Sequence, residues 1–450
     1  MHAMRLLSWG RYPAIPQTGH ALAWPDAAAR ALHQLAAQAG TTLPFGNGRS
    51  YGDSCLAASG HVLTLDSLDR FIAADWQAGI LRAQAGVTLG EVQALAVAHG
   101  WILPVTPGTQ FVTLGGALAN DVHGKNHHVR GTFGRHVRRF RLLRSDSPPL
   151  ECSADEHGLL FRATIGGLGL TGVVEWIELQ LMPVRSGLLH VETVPFAHVD
   201  EFLALSDALD AQHEYGVAWV DCMSRGAALG RGIYMSADHA DADASVAGHD
   251  TRPQGSGLWR IPFALPCSPV NRLTLKPFNT LYYHRQRARA ARTRGGSWVD
   301  YARYFYPLDR IRDWNRLYGR NGFQQYQFVV PTAAAHDALR AALEAIAAHG
   351  SGSFLAVLKR CGTLPSPGLL SFPMPGISLA LDFPQRTVRD ARLFDRLDAI
   401  VREAGGRLYP AKDAHMSGAD FRAAYPAWQT LESLRDPALM SRFWQRTTQS

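Results

Sequence analysis

The sequence predicts an α+β protein with two cores, and three observations lead there. At 450 residues the chain exceeds what one core commonly holds. Up to about Val184 it reads mainly as short, alternating strands broken by Asp and Gly turns. From about Ser186 the character changes to longer helices mixed with alternating strands, a second α+β unit.

The elements follow in order. Ala21 to Ala39 spaces Ala and Leu among polar residues as a helix, with Pro25 at its start and Asp26 a candidate N-cap. Thr41 to Phe45 is a short strand; Gly46 to Gly52 then forms a loop whose glycines free backbone N–H groups to face an anion. Val62–Leu65, Phe71–Asp75 and Ile80–Ala83 are strands, and Leu89 to His99 is a helix stopped by Gly100. A strand in WILPVTPGTQFVTLGGALAND runs into Pro107 and Gly108. It delivers Gly115 to Gly134, a run of glycines, amides and histidines with little hydrophobic face, which reads as a binding loop. Val137 to Arg144 alternates as a strand. Gly167 to Gly172 matches GxGxxG formally, but β-branched, alternating residues follow where a dinucleotide fingerprint needs a helix, so these glycines serve packing or cofactor approach.

In the second unit Val199–Leu209 and Ala333–Ala348 are helices, and Gly216–Met223 and Ser378–Phe383 strands. Lys276 to Gly296 crowds Arg285, Arg287, Arg289, Arg292 and Arg294 before a Gly-Gly pair. It reads as a solvated loop, with an electropositive flap toward a lipid or phosphate as the sharper alternative. Near the C-terminus Arg407 to Tyr409 is a strand, Lys412 stands on the turn after it, and Ser417 to Tyr425 is a helix with Ser417 or Asp420 near its start.

Composition narrows the classes of function. The formal charge of +7 comes mainly from arginine, which suits phosphate or carboxylate recognition. No zinc-finger spacing, basic heptad helix or RNA-binding aromatic signature is present, so nucleic acid is not expected as a partner. His123, His127 and His128 lack the spacing of a metal site. Cys55, Cys152, Cys222, Cys267 and Cys361 are scattered and form no CxxC, pointing to a reducing compartment. With no apolar leader and no run of eighteen apolar residues, a soluble, cytoplasmic protein is expected, peripheral at the inner membrane at most.

Taken together, GNGRSYGD, PGTQFVTLGGALANDVHGKNHH, GGLGLTGVV and GGRLYPAKD resemble flavin enzymes of the vanillyl-alcohol oxidase superfamily, with an FAD domain of the p-cresol methylhydroxylase type. Within it the chain is similar to the oxidase subunits of decaprenylphosphoryl-β-D-ribose 2′-epimerases. FYPLDRIRDWNRLYGRNGFQQYQFVVP and LSFPMPG extend that likeness through the middle of the chain. The resemblance implies an FAD domain from residues 1–185, an inserted α+β substrate (cap) domain over 186–404, and a segment, 405–450, returning to the FAD domain. It places Gly46, Asn47, Gly48, Arg49, Ser50, Tyr51, Gly52, Gly108, Thr109, Thr113, Gly115, Gly116, Asn120, His123, Gly124, Val174 and Tyr409 around the cofactor. Arg49 stands where covalently flavinylated relatives carry histidine, so the FAD is expected to be noncovalent. Ala380 stands where mycobacterial relatives carry a cysteine, a loss expected to blunt thiol-directed inhibitors but not catalysis.

Oxidising a secondary alcohol on FAD needs a hydride acceptor and a base for the hydroxyl proton. Lys412, His123 and Tyr409 are the candidate bases, and the resemblance sets Lys412 over the reacting sugar. Lys125, Gln325, Gln327, Lys359 and Lys412 are the expected substrate contacts, the two glutamines sharing one strand face. Trp219 and Tyr304 read as core or pocket wall. The implied reaction is oxidation of the ribose 2′-hydroxyl of a polyprenyl-phosphoryl sugar to the 2′-ketone. An NADH-dependent short-chain reductase would complete epimerisation to the arabinose donor of cell-envelope biosynthesis. An aldonolactone or alditol oxidase using oxygen is the alternative, and a flavin-binding subunit dependent on a partner the second.

Overall fold

The computed structural model describes residues 5–240, 259–293, 295–385 and 388–449. Two larger sheets, beside a two-stranded pair of Trp101–Ile102 and Met182–Pro183, occupy the first part of the chain. In the smaller, Gln17–Ala21 and Pro44–Phe45 both run parallel to His61–Thr64. The helix Ala28–Ala39 covers it, burying Leu32 and Leu35. The other is an antiparallel sheet ordered Phe71–Asp75, Ile80–Gln84, Val173–Gln180, Val137–Leu143, Leu150–Ser153.

The second part builds one eight-stranded antiparallel sheet, ordered Ser297–Asp300, Leu188–Phe196, Gly232–His239, Tyr215–Val220, Ala356–Cys361, Gly376–Pro384, Phe323–Pro331, Arg407–Leu408. Period-two alternation gives this sheet two unlike faces. Tyr326, Phe328, Leu358, Leu379 and Leu381 point into the apolar core, joined there by Leu339, Leu343 and Ile346 of the helix Ala335–His349. Burying each such side chain is worth about 1.5–3 kcal/mol. The residues between them in sequence, Gln325, Gln327, Val357, Lys359, Ser378, Ala380 and Asp382, face a cavity instead.

The C-terminal segment ties the two parts together. Arg407–Leu408 adds an edge strand to the large sheet, after which Thr42 bridges Leu439 and Ala57 bridges Ser441. Arg446 holds Asp53 (3.0 Å) and Asp413 (2.9 Å) at once. The helix Gly418–Ala424 starts at Ser417, whose Oγ accepts from Asp420 N at 3.0 Å.

Several elements differ from the sequence reading. Asp26 is no N-cap: the chain enters a 3₁₀ turn, Pro25–Ala27, from Trp24, and Asp26 lies inside it. The glycine run from 115 to 134 is not all loop. Thr113 caps a short helix, Leu114–Ala119, that buries Leu114, Ala117 and Leu118, and the turn His127–Arg130 follows. Lys276–Gly296 is not a loop over most of its length: from Lys276 to Arg292 it is all but the first four residues of a helix, Arg272–Arg292. Asn271 caps it, accepting from Leu273 N and Thr274 N, and Leu275, Asn279 and Tyr283, four residues apart, bury one face. Asn279 donates to Asp221 (3.1 Å) and the Tyr283 hydroxyl to the Phe196 carbonyl (3.3 Å). Arg294 lies outside the described residues. No helix among the described residues is long and apolar enough to cross a membrane.

Candidate active site

A cavity of about 820 Å³ lies between the large sheet and the two N-terminal sheets, within the size range of ligand sites. One side is glycine-rich backbone: Gly46 to Tyr51, Gly108–Thr109, and Thr113 with Gly115, Gly116 and Asn120. The backbone N–H groups of Asn47, Gly48, Arg49, Ser50, Gly108 and Thr109 donate to no protein acceptor among the described residues, and Arg49 Nε is buried without a partner. Gly48 has φ +58°, a conformation side chains disfavour, and a Cβ on Gly46 would meet Thr113 Oγ1 at 2.6 Å. Unpaired N–H groups on tight glycine turns beside a cation fit a diphosphate. The residues present therefore suit the diphosphate-bearing cofactor FAD.

Every sequence-predicted cofactor residue lines this cavity except Gly52. Gly52 instead packs on the C-terminal segment, where a Cβ would fall 1.6 Å from the Asp413 carbonyl oxygen; its smallness lets two chain segments touch. Val174 and Tyr409 are in the lining, with Gly169 and Gly172 of the false fingerprint beside them. The strand Val173–Gln180 follows those glycines, as its alternation requires. The Tyr409 hydroxyl donates to the Asn120 carbonyl at 2.8 Å, and its ring stacks on Phe372.

The opposite side carries the polar contacts. Lys359 Nζ bonds His123 Nδ1 and donates to the Gly124 carbonyl at 2.9 Å, while Gln327 Nε2 lies 3.2 Å from His123 Nε2. Lys125 Nζ donates to the Tyr304 carbonyl and lies 4.1 Å from that ring's centroid. Lys412 Nζ sits 3.7 Å above the Tyr51 ring. It makes no pair with Asp413, which Arg446 and His415 hold. Trp219 and Tyr304 also line the cavity.

Burial sets the protonation of these groups. It pushes Lys412 down to about 7, against the nearby Asp382 and helped by Lys359. Lys125 falls to about 7 through burial and then Lys359; Lys359 falls to about 8 through burial, opposed by Cys361. Burial, then Lys359, His127 and Lys412, push His123 well below the ordinary imidazole value. Tyr409 is held well above the ordinary phenol value by burial, then by Asp121 and Tyr425. Of the three candidate bases, only Lys412 thus loses and regains its proton near neutrality.

The sequence reading missed Asp382. It lies in register with Gln325, whose Nε2 donates to it at 2.7 Å, and burial raises it to about 7 against that bond and Lys412. Its signal was an acid two residues after Ala380, hence on the same strand face. A second signal also went unused: the chain has only four lysines, and Lys125, Lys359 and Lys412 all line this one cavity.

Comparisons with known proteins agree with the geometry. A family model described as an FAD binding domain matches residues 24–153. The chain is 34% identical over 442 residues, 96% of its length and 94% of the relative's, to decaprenylphosphoryl-β-D-ribose oxidase of Mycolicibacterium smegmatis. It is 36% identical over 362 residues to an uncharacterised protein of Streptomyces coelicolor, covering 78% of this chain and 95% of that one. Likeness to the Δ(24)-sterol reductase of Homo sapiens, 27% over 125 residues, spans only 28% of this chain.

Proposed function

Because the chain belongs to the family of the decaprenylphosphoryl-β-D-ribose oxidases, FAD-dependent oxidoreductases, we propose that it oxidises the 2′-hydroxyl of a polyprenyl-phosphoryl-β-D-ribose to the ketone. The observation that carries the reading is Lys412. It sits half-buried over Tyr51 in a cavity that also holds the glycine cradle, and desolvation brings its ammonium down to about 7. FAD, when bound, supplies the hydride acceptor at its N5.

Lys412 takes the hydroxyl proton. Neutral His123, fixed between Lys359 and Gln327, and Tyr409, fixed on the Asn120 carbonyl, position the reacting groups. Gln325, Gln327, Lys125 and Lys359 bind sugar and phosphate oxygens. Gly46 to Ser50 with Gly108 and Thr109 hold the diphosphate. The FAD is noncovalent in this reading, since Arg49, a guanidinium set 4.3 Å over Trp9, offers no nucleophile. Residues 1–185 and 405–450 carry the cofactor and 186–404 cap it. An NADH-dependent short-chain reductase would consume the ketone, and the segment Lys276–Gly296 would meet a lipid surface.

The test is the visible spectrum of the purified protein, recorded anaerobically before and after adding a short-chain polyprenyl-phosphoryl ribose. Bleaching of the flavin band by this substrate and not by an aldonolactone is expected. Bleaching by a lactone or alditol alone would overturn the substrate assignment.

A further inference from the structure

Behind Lys412, charges alternate along a row of side chains drawn from separate segments of the chain. Asp53 stands just past the glycine cradle, and Arg446 holds it with two bonds of 3.0 Å. The same guanidinium reaches Asp413 at 2.9 Å. Asp413 lies 3.2 Å from His415 Nδ1, and His415 Nε2 lies 3.2 Å from Asp398 on the helix Val388–Glu403. The Tyr326 hydroxyl donates to the same Asp398 oxygen at 2.7 Å. The one imidazole in this row thus sits between two carboxylates.

His415 joins two structures that the reaction must hold together. On one side its ring stacks on Tyr326, with centroids 5.6 Å apart, and lies 4.8 Å from the Phe394 ring. Tyr326 belongs to the strand Phe323–Pro331, whose opposite face presents Gln325 and Gln327 to the cavity. On the other side is the turn that carries Lys412. There Asp413 accepts from His415 N at 3.1 Å and Met416 N at 2.9 Å, and Lys412 N donates to the Tyr409 carbonyl at 2.9 Å. The Lys412 ammonium rests over the Tyr51 ring with no hydrogen bond to protein among the described residues, so the turn sets where it stands.

Desolvation works against a charge on His415, but Asp413 and then Asp398 outweigh it and hold the imidazole above its ordinary value. Arg446 acts the other way. Tyr326 is kept a neutral donor by burial and then by Asp398, and Asp420 of the neighbouring helix is taken up by Arg402 at 2.9 Å.

We propose that His415, as an imidazolium joining Asp413 to Asp398, is a positioning residue for Lys412 that keeps the lysine turn in register with the strand of Gln325 and Gln327. The proposal rests on Lys412 as the base of the reading above and adds what aims it. Deprotonated, the ring can donate to only one of the two carboxylates. The joint is therefore complete below the raised value of His415 and lost as pH climbs through it. Turnover then has a falling alkaline limb opposite the rising limb of Lys412.

Two measurements on the FAD-loaded protein test it. The first needs no substrate: labelling of the four lysines by trace acetic anhydride across pH, read by peptide mass spectrometry, titrates Lys412 directly. In His415→Gln the turn loosens and Lys412 gains water, so its titration should move up from about 7 toward the ordinary lysine value. His415→Arg, which keeps a permanent cation there, should leave it near about 7. The second is stopped-flow flavin reduction by the short-chain polyprenyl-phosphoryl ribose. His415→Gln should slow it by about 10²-fold with flavin retained. His415→Arg should restore fast reduction and remove the alkaline limb. Asp398→Asn, a milder change that leaves Asp413 in place, should move that limb to lower pH. A parent-like Lys412 titration in both His415→Gln and Asp398→Asn, or an alkaline limb unchanged in His415→Arg, would overturn the proposal. Should the ribose substrate fail to reduce the parent's flavin, the substrate reading falls, and the Lys412 titration still decides the positioning role.

Discussion

The floor and the mouth of the cavity are both cationic, yet they are built from different residues. The floor uses Lys359, buried, and Lys125 and Lys412, half-buried, with ammonium groups lowered to between about 7 and about 8. The mouth uses the exposed arginines Arg260, Arg289, Arg303 and Arg312. A guanidinium keeps its charge at any physiological pH, whereas a desolvated ammonium gives its proton up. In the proposed reading, the permanent charge that attracts phosphate is arginine, and the substrate's proton goes to one of the chain's few lysines, Lys412.

The largest expected effect follows from removing the lysine proposed to take the proton. Lys412→Ala should lower kcat by about 10²- to 10⁴-fold with flavin still bound. Lys412→Arg should not restore turnover, because the side chain stays charged. Stopped-flow flavin reduction measures both. Rapid reduction in the arginine variant would break the contrast between floor and mouth.

A smaller effect sharpens the same contrast through pH. A base works when deprotonated, so kcat/KM should rise with pH through about 7 as Lys412 loses its proton. Asp382 holds that proton on. In Asp382→Asn the rising limb should move to lower pH, with flavin reduction retained. Should the asparagine variant lose flavin reduction as Lys412→Ala does, the carboxylate and not the lysine would be the base.

The two regions also differ in how far the sequence revealed them. Glycine spacing in GNGRSYGD and the alternation after Gly172 are local features, and the glycine cradle and the strand Val173–Gln180 were legible from them. Gln325 and Gln327 were placed on one face by period two. Asp382 was not found because its role depends on pairing across strands, Gln325 opposite Asp382 and Gln327 opposite Ala380, which no local pattern announces. At the mouth, the density of arginine hid the helical spacing of Leu275, Asn279 and Tyr283, so a helix was read as a loop. Gly52 sat inside a binding motif, but the Asp413 carbonyl that it accommodates is distant in sequence.

The smallest effect on turnover is expected at Ala380, the cavity-lining position opposite Gln327 and Val357. Burial pushes the thiols of Cys55, Cys152 and Cys222 up to about 12 and that of Cys361 to about 11, leaving Cys267 exposed. A maleimide should therefore label the native protein at Cys267. Ala380→Cys should add a second labelled site, because a thiol facing the ammonium groups of the floor ionises more readily than one in an apolar core. Bound substrate should protect it. Turnover before labelling should change by less than about threefold, a cost below about 0.7 kcal/mol. Peptide mapping of the labelled protein measures the outcome. Modification of Cys267 alone would show that position 380 is closed to solvent and that the floor is drier than its lysines require.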